Sequence, residues 1–197
     1  MPRRRTLPSQ TWRTFLANHL GATVAVDFFA VPTLTCRLLF VFVVLAHDRR
    51  RILHVNVTQH PTSAWTRQQL REALPSDTHS RFLLHDRDTT FDAAFDRTVT
   101  AFGLTTVRTA PRSPWQNPYV ERVIGSIRRE CLDHVIALNE RHLRRMLRNY
   151  VSYYQRSRTH LALDKDAPEG RAAASLARIV ARPEVGGLHH RYERMAA

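Results

Sequence analysis

Lysine is almost missing from this chain: of its 30 basic residues, 29 are arginine and Lys165 is the single exception. Cysteine is also scarce. Cys36 and Cys131 stand far apart with no metal-ligand spacing, which excludes a zinc module and a disulfide framework and makes a reducing cytoplasm the expected setting. No apolar run is long enough to cross a bilayer; the longest, Leu38 to Ala46, reads as a buried strand. The basic start Met1-Pro-Arg-Arg-Arg5 is not followed by the apolar stretch of a signal peptide. Glycine-rich phosphate loops are missing, as is a Gly-x-Ser-x-Gly elbow, so neither a nucleotide-binding loop nor a serine-hydrolase triad is supported. His85-Asp86-Arg87-Asp88 looks outwardly like a kinase catalytic loop, yet no Asp-Phe-Gly element accompanies it. Internal repeats and low-complexity tracts are absent.

What is present is positive charge and a full hydrophobic complement. Thirty Lys plus Arg against 17 Asp plus Glu give a formal net charge of +13. Guanidinium groups stay charged and bind phosphate through paired hydrogen bonds, so an arginine-dominated surplus suits a nucleic-acid partner. The competing explanation is a GC-rich genome with much of the charge on a solvated face. At 197 residues and 43% hydrophobic content, the chain can bury one substantial core.

Three carboxylates stand at informative places. Asp27 lies inside the apolar run Thr23-Val-Ala-Val-Asp-Phe-Phe29, Asp86 directly follows Phe82-Leu-Leu-His85, and Glu121 sits in Asn117-Pro-Tyr-Val-Glu-Arg122. The first two are acids delivered by hydrophobic strands; the third opens a predicted helix. Phosphodiester chemistry by two hard cations needs a few oxygen ligands from separate parts of a chain, and no His or Cys cage. Asp88, two residues beyond Asp86, faces the same side of an extended segment and is the alternative second acid; it is equally suited to starting a turn or capping a helix.

Periodicity predicts a helix over about Ser9 to Asn18, strands at Val24–Ala30, Arg37–Ala46 and Arg51–Thr58, and a helix that starts at Pro61-Thr-Ser63 and runs through about Ala73, capped by Thr62 or Ser63. The polar His47-Asp-Arg-Arg50 joins the second and third strands through a hairpin turn with no special signature. A strand at Phe82–His85, a helix over Phe91–Phe102 ending at Gly103, and a strand at Thr105–Thr109 follow. Three meandering strands and then alternating helix and strand give an α/β fold, a mixed sheet with flanking helices in the ribonuclease H-like order. Asp27 and Asp86 fall on adjacent strands.

The segment Thr109 to Pro118 holds three prolines and reads as a loop beside the acids. Trp115 within it can stack on a base or anchor the loop to the core. A helix from Asn117 to about Leu132 carries Arg122, Arg128 and Arg129. Another, Asn139 to Arg156, is apolar at Leu143, Met146, Leu147, Tyr150, Val151 and Tyr154, with Arg141, Arg144, Arg145, Arg148, Arg156 and Arg158 on or near its other faces. Those arginines suit DNA phosphates or a solvated, ion-paired surface. Ala172–Ala181 reads as an alanine-rich helical patch, and Pro183 to Tyr192 as an exposed tail in which His189 and His190 lack further metal ligands. The expected division is an extension over 1–20, a core over 21–160 and a tail over 161–197.

With 34 residues between Asp86 and Glu121, Pro114-Trp-Gln-Asn117 ahead of Glu121, and Arg128 seven residues after it, the chain resembles the DDE catalytic domain of retroviral-type integrases and insertion-sequence transposases. The resemblance runs from about Trp12 to Arg158, and positions 117, 121 and 128 share one helix face. The ending Leu188-His-His-Arg-Tyr192 is a weaker point of likeness to bacterial transposases. One departure is the second acid, where family members often have a glycine-containing turn and this chain has Asp86-Arg-Asp-Thr-Thr-Phe91. The resemblance implies that Asp27, Asp86 and Glu121 hold two Mg²⁺ or Mn²⁺ ions. It also implies that Arg112, Trp115, Gln116, Asn117, Arg122, Arg128 and Arg129 contact DNA, and that the loop is mobile until DNA binds. A homo-multimer pairing two element ends in the nucleoid is expected, with no membrane partner. No helix-turn-helix is evident ahead of Asp27, which leaves room for a separate DNA-recognition chain. A ribonuclease H-like nuclease and a catalytically silent DNA-binding remnant of a mobile element are the alternatives.

Overall fold

The computed structural model describes residues 11–74, 79–171 and 178–195. Among them no helix is long and apolar enough to cross a membrane. The apolar runs become a five-stranded sheet of β1 (Thr23–Pro32), β2 (Leu38–Ala46), β3 (Arg51–Thr58), β4 (Phe82–His85) and β5 (Thr105–Arg108). Their order across the sheet is β3-β2-β1-β4-β5. β1–β2 and β2–β3 are antiparallel, whereas β1–β4 and β4–β5 are parallel. The expected mixed α/β fold is therefore present. β1, carrying Asp27, is the middle strand.

Side-chain alternation divides the core in two. Ala25, Phe29, Val41, Val43 and Leu45 face α4 (Pro118–Glu130) and α5 (Glu140–Arg156), where Val120, Val123, Ile127, Leu143, Leu147, Tyr150 and Tyr154 pack against them. Val24, Val26, Phe42, Val44 and Leu83 face the opposite way, onto Leu70 and Ala73 of α2 (Ser63–Ala73) and Phe95 and Val99 of α3 (Ala93–Ala101). Covered on both faces, β2 needs its near-continuous apolar run.

Helix starts follow local chemistry. The Thr62 hydroxyl accepts the Trp65 amide, Asp92 accepts that of Phe95, and Asn139 accepts that of His142. The α3 cap is thus Asp92 and not Asp88, which instead accepts the Thr90 amide in a turn. The N-terminal helix α1 runs Trp12–His19, capped by Thr11; the expected start at Ser9 lies outside the described residues.

Two expectations are corrected. The β2–β3 connection is not an ordinary turn: in the four-residue loop that follows the Ala46–Arg51 pair, Arg49 and Arg50 both adopt left-handed φ, 45° and 57°. Arg49 is held there by donating to the Asp166 carboxylate and to the carbonyls of Ala167 and Pro168. The C-terminal segment expected as an exposed tail is largely exposed but carries paired strands. Residues 172–177 of the alanine-rich patch lie outside the described residues, but Arg178–Glu184 (β6) pairs with His189–Met195 (β7) as a hairpin turned by Gly186 and Gly187 at φ 66° and 91°. The His189 ring stacks on Tyr153 at 4.3 Å and its Nε2 bonds the Glu130 carbonyl, so this histidine is a packing residue.

A clasp joins these C-terminal elements. Glu130, at the end of α4, accepts from Arg158 through both carboxylate oxygens and from the Tyr150 hydroxyl at 2.8 Å. Arg144 is likewise occupied by Asn56, the Val57 carbonyl and Glu140, and Arg156 by Glu169. These three arginines, Arg144, Arg156 and Arg158, hold the fold together.

Candidate active site

Strand register brings the first two acids together. Thr23, Val24 and Ala25 of β1 pair with Phe82, Leu83 and Leu84 of parallel β4, so continuing two places sets Asp86 level with Asp27. Both share the parity of Ala25 and Leu84, the face covered by α4 and α5. α4 starts above this point and presents Glu121 in its first turn. Asp27, Asp86, Asp88, Asn117 and Glu121 consequently line one cleft of about 390 Å³ with Arg87, Arg112 and the turn of residues 109–114.

Asp27 is half-buried because it sits mid-strand under a helix, while Asp86, Asp88 and Glu121 stand at the exposed rim. Burial pushes the Asp27 carboxyl up from 3.8 to about 7; the Phe28 amide, donating to Oδ1 at 2.7 Å, opposes that rise, and the charges of Glu121, Asp86 and Asp88 add to it. Glu121 is also raised, by burial first and then by Asp86, with Arg128 opposing. These carboxylates sense one another's charge across the cleft. Even so, among the described residues no three His, Cys, Asp or Glu side chains are gathered tightly enough to ligate one ion as they stand.

The donor set fits a hard divalent ion: several carboxylate oxygens around one cleft. Asn117 adds a buried amide whose Nδ2 donates to the Val26 carbonyl at 3.4 Å and whose Oδ1 has no partner. Asp86 and Asp88 form successive short turns, Asp86 Oδ1 accepting the Asp88 amide and Asp88 Oδ1 that of Thr90. Both remain in the cleft.

The expected DNA contacts fall in different places. Arg112 lines the cleft with a left-handed φ of 54°. Trp115 is 63% exposed, which removes the core-anchor reading of this ring. The anchor is Trp12 of α1, whose indole nitrogen donates to the Gln116 carbonyl at 3.1 Å. The Gln116 side chain closes the loop on itself by accepting the Ala110 amide. Arg128 lies over the Phe29 ring and donates to the Ala30 carbonyl, beside Glu121 rather than on the cleft wall. Arg122 and Arg129 do not line the cleft; Arg129 folds back over Gly125, where a β-carbon would meet its guanidinium at 2.9 Å.

Sequence reasoning missed Arg87. It lines the cleft and donates to the Thr109 carbonyl at 3.0 Å, tying the end of β4 to the start of the loop. Its position between Asp86 and Asp88 is the one signal that could have found it.

Comparison with known proteins agrees with this architecture. Residues 102–168 match the family model of an integrase core domain. No curated protein sequence matches the chain significantly. Among solved structures, a chain of the simian T-cell lymphotropic virus intasome in complex with PP2A regulatory subunit B56 gamma aligns with a TM-score of 0.61 at 11% identity, covering 87% of this chain and 66% of that one. The BIV integrase catalytic core domain aligns at 0.56 and 12% identity, covering 76% of this chain and 91% of its own. The HTLV-2 integrase catalytic core domain, solved with magnesium in a dimeric form, aligns at 0.60 and 12% identity, over 76% and 94%. The fold is that of integrase catalytic cores, and the resemblance to a DDE-type core is borne out. The match supports a DNA integration or transposition role in general terms.

Proposed function

We propose that the cleft is the centre of a DDE-type polynucleotidyl transferase that cuts DNA strands and joins them to a target. The observation that carries this reading is the convergence of Asp27, Asp86 and Glu121, from three separated segments, on one cleft walled by Asn117 and Arg112. Asp27, Asp86 and Glu121 would hold two Mg²⁺ or Mn²⁺ ions, with Asp88 near enough to share the second position. When bound, such a pair activates the attacking water or 3′-hydroxyl and stabilises the departing oxygen in an in-line displacement at phosphorus.

The protein's own groups set the stage for that displacement. The Asp27 carboxylate is fixed in direction by the Phe28 amide, and Arg128 beside Glu121 favours its charged form. Arg87 and Trp12 hold the two ends of the cleft loop, so Arg112 and Ser113 stand over the acids on a tethered segment. Exposed Trp115 offers a stacking surface for a base displaced from the duplex. A homo-multimer that pairs two element ends, with a separate helix-turn-helix chain for recognition, completes the proposed machinery in the nucleoid.

A labelled duplex with a free 3′-hydroxyl, incubated with a target plasmid and Mg²⁺ or Mn²⁺, tests the reading. Joined products are expected from the wild-type chain and a loss of at least about 100-fold from Glu121→Gln, the scale on which electrostatic groups at a reacting centre act. DNA affinity should survive, because it comes mainly from phosphate neutralisation. Cutting without joining would assign a nuclease, and salt-sensitive binding without either would assign a silent DNA-binding remnant.

A further inference from the structure

The face of the sheet opposite the acids carries a second basic site. α2 and α3 pack side by side there, and between them runs a groove of about 310 Å³ lined by Arg67, Arg71 and Arg97 over a floor that includes Ala94, Thr98 and Phe102. Among the described residues no carboxylate lines it. Arg67 and Arg71 are one turn apart on α2, where like charges repel each other. None of the three forms an ion pair among the described residues; Arg67 donates to the Ser63 carbonyl and Arg71 to Gln68. The charge of Asp92 lies close enough to Arg67 to be felt, but Asp92 is outside the groove and occupied as the α3 cap.

We infer that this groove is a second DNA-backbone site, which lets one chain hold a DNA segment on the side of the sheet away from the catalytic cleft. Its chemistry favours phosphodiester over peptide. Among the described residues the three guanidiniums are the only charged groups lining it, and the Thr98 hydroxyl is already donated to the Ala94 carbonyl. Little remains to read base edges or peptide amides, as suits sequence-independent contact to phosphate. The inference rests on the DNA-processing reading of the cleft. A strand-transfer enzyme must handle two DNA segments, and these two sites face opposite ways.

The test compares wild type with Arg67→Gln/Arg71→Gln/Arg97→Gln, at a concentration where sedimentation gives both the same oligomeric state. Three lost phosphate contacts should flatten the slope of log K against log salt by about 2.7, at about 0.9 per contact on duplex DNA. Capture of a second, fluorescent duplex by protein on an immobilised first duplex should fall with it, while cleavage of a single duplex stays at the wild-type rate. Wild-type slope and capture in the triple variant would overturn the second site and leave the catalytic reading intact. Displacement by polyglutamate, with DNA unable to compete, would overturn it in favour of an acidic-protein partner. A wild-type chain that fails to bind DNA at all would remove both readings.

Discussion

Replacing Asp27 with asparagine should stabilise the metal-free protein at alkaline pH. Burial and the neighbouring carboxylates raise the Asp27 carboxyl from 3.8 to about 7. A rise of that size corresponds to a ceiling of about 4 kcal/mol. Water still reaches the half-buried group, so about 2–3 kcal/mol is the expected effect. The folded chain keeps this proton to about pH 7 while the unfolded chain releases it near 3.8. Between those values the native state binds more protons, and the stability tied to this group is present below 3.8 and lost as pH rises through about 7. Asparagine carries no such penalty and still offers an oxygen to the Phe28 amide. Urea unfolding in EDTA should give nearly equal stabilities for wild type and Asp27→Asn at pH 4, and a variant more stable by about 2–3 kcal/mol at pH 8. Adding Mg²⁺ at pH 8 should close the gap by stabilising wild type alone, since a ligand that binds only the native state adds its binding free energy. Parallel pH curves for the two proteins would refute the assignment of Asp27 as a carboxyl held protonated by burial and by its neighbours.

Other expectations follow from the same contacts. Arg158→Met leaves the Glu130 carboxylate with Tyr150 as its one remaining side-chain donor; with the pair about a quarter exposed, the loss should be about 2–3 kcal/mol, read as a lowered midpoint in urea. Unchanged stability would mean that the clasp does not hold α4 to the C-terminal elements. Trp115→Ala should leave the melting temperature within the small range of surface substitutions yet weaken single-stranded DNA binding by about 1–3 kcal/mol. A destabilised variant with normal binding would return Trp115 to an anchoring role.

The fold was largely legible in the chain because its signals are local. β2 is an unbroken apolar run, β4 is three apolar residues ending in buried His85, and Thr62 and Asn139 mark their helices through side-chain oxygens that need only the next turn of backbone. The C-terminal hairpin was read as an exposed tail because proline, glycine and polar residues there carry no strand period, whereas the glycine turn at 186–187 and cross-strand pairing decided the outcome. The Arg49–Arg50 turn was opaque for a similar reason. Arginine is a poor marker of left-handed φ, and the contacts that hold Arg49 come from residues more than a hundred positions away.

For the candidate site, the sequence by itself determined the identity of the acids and the placement of Asp27 and Asp86 on strands expected to be adjacent. Tertiary structure alone decided which other groups join them. Register between parallel β1 and β4 set Asp86 level with Asp27, and the packing of α4 on the sheet brought in Glu121 and Asn117. Arg87 entered the cleft through a bond to Thr109, while Arg122 and Arg129 turned away from it. Alternation and helical period are properties of a few consecutive residues, but which surfaces meet depends on how a sheet twists and where a helix docks, and no short stretch of chain encodes that.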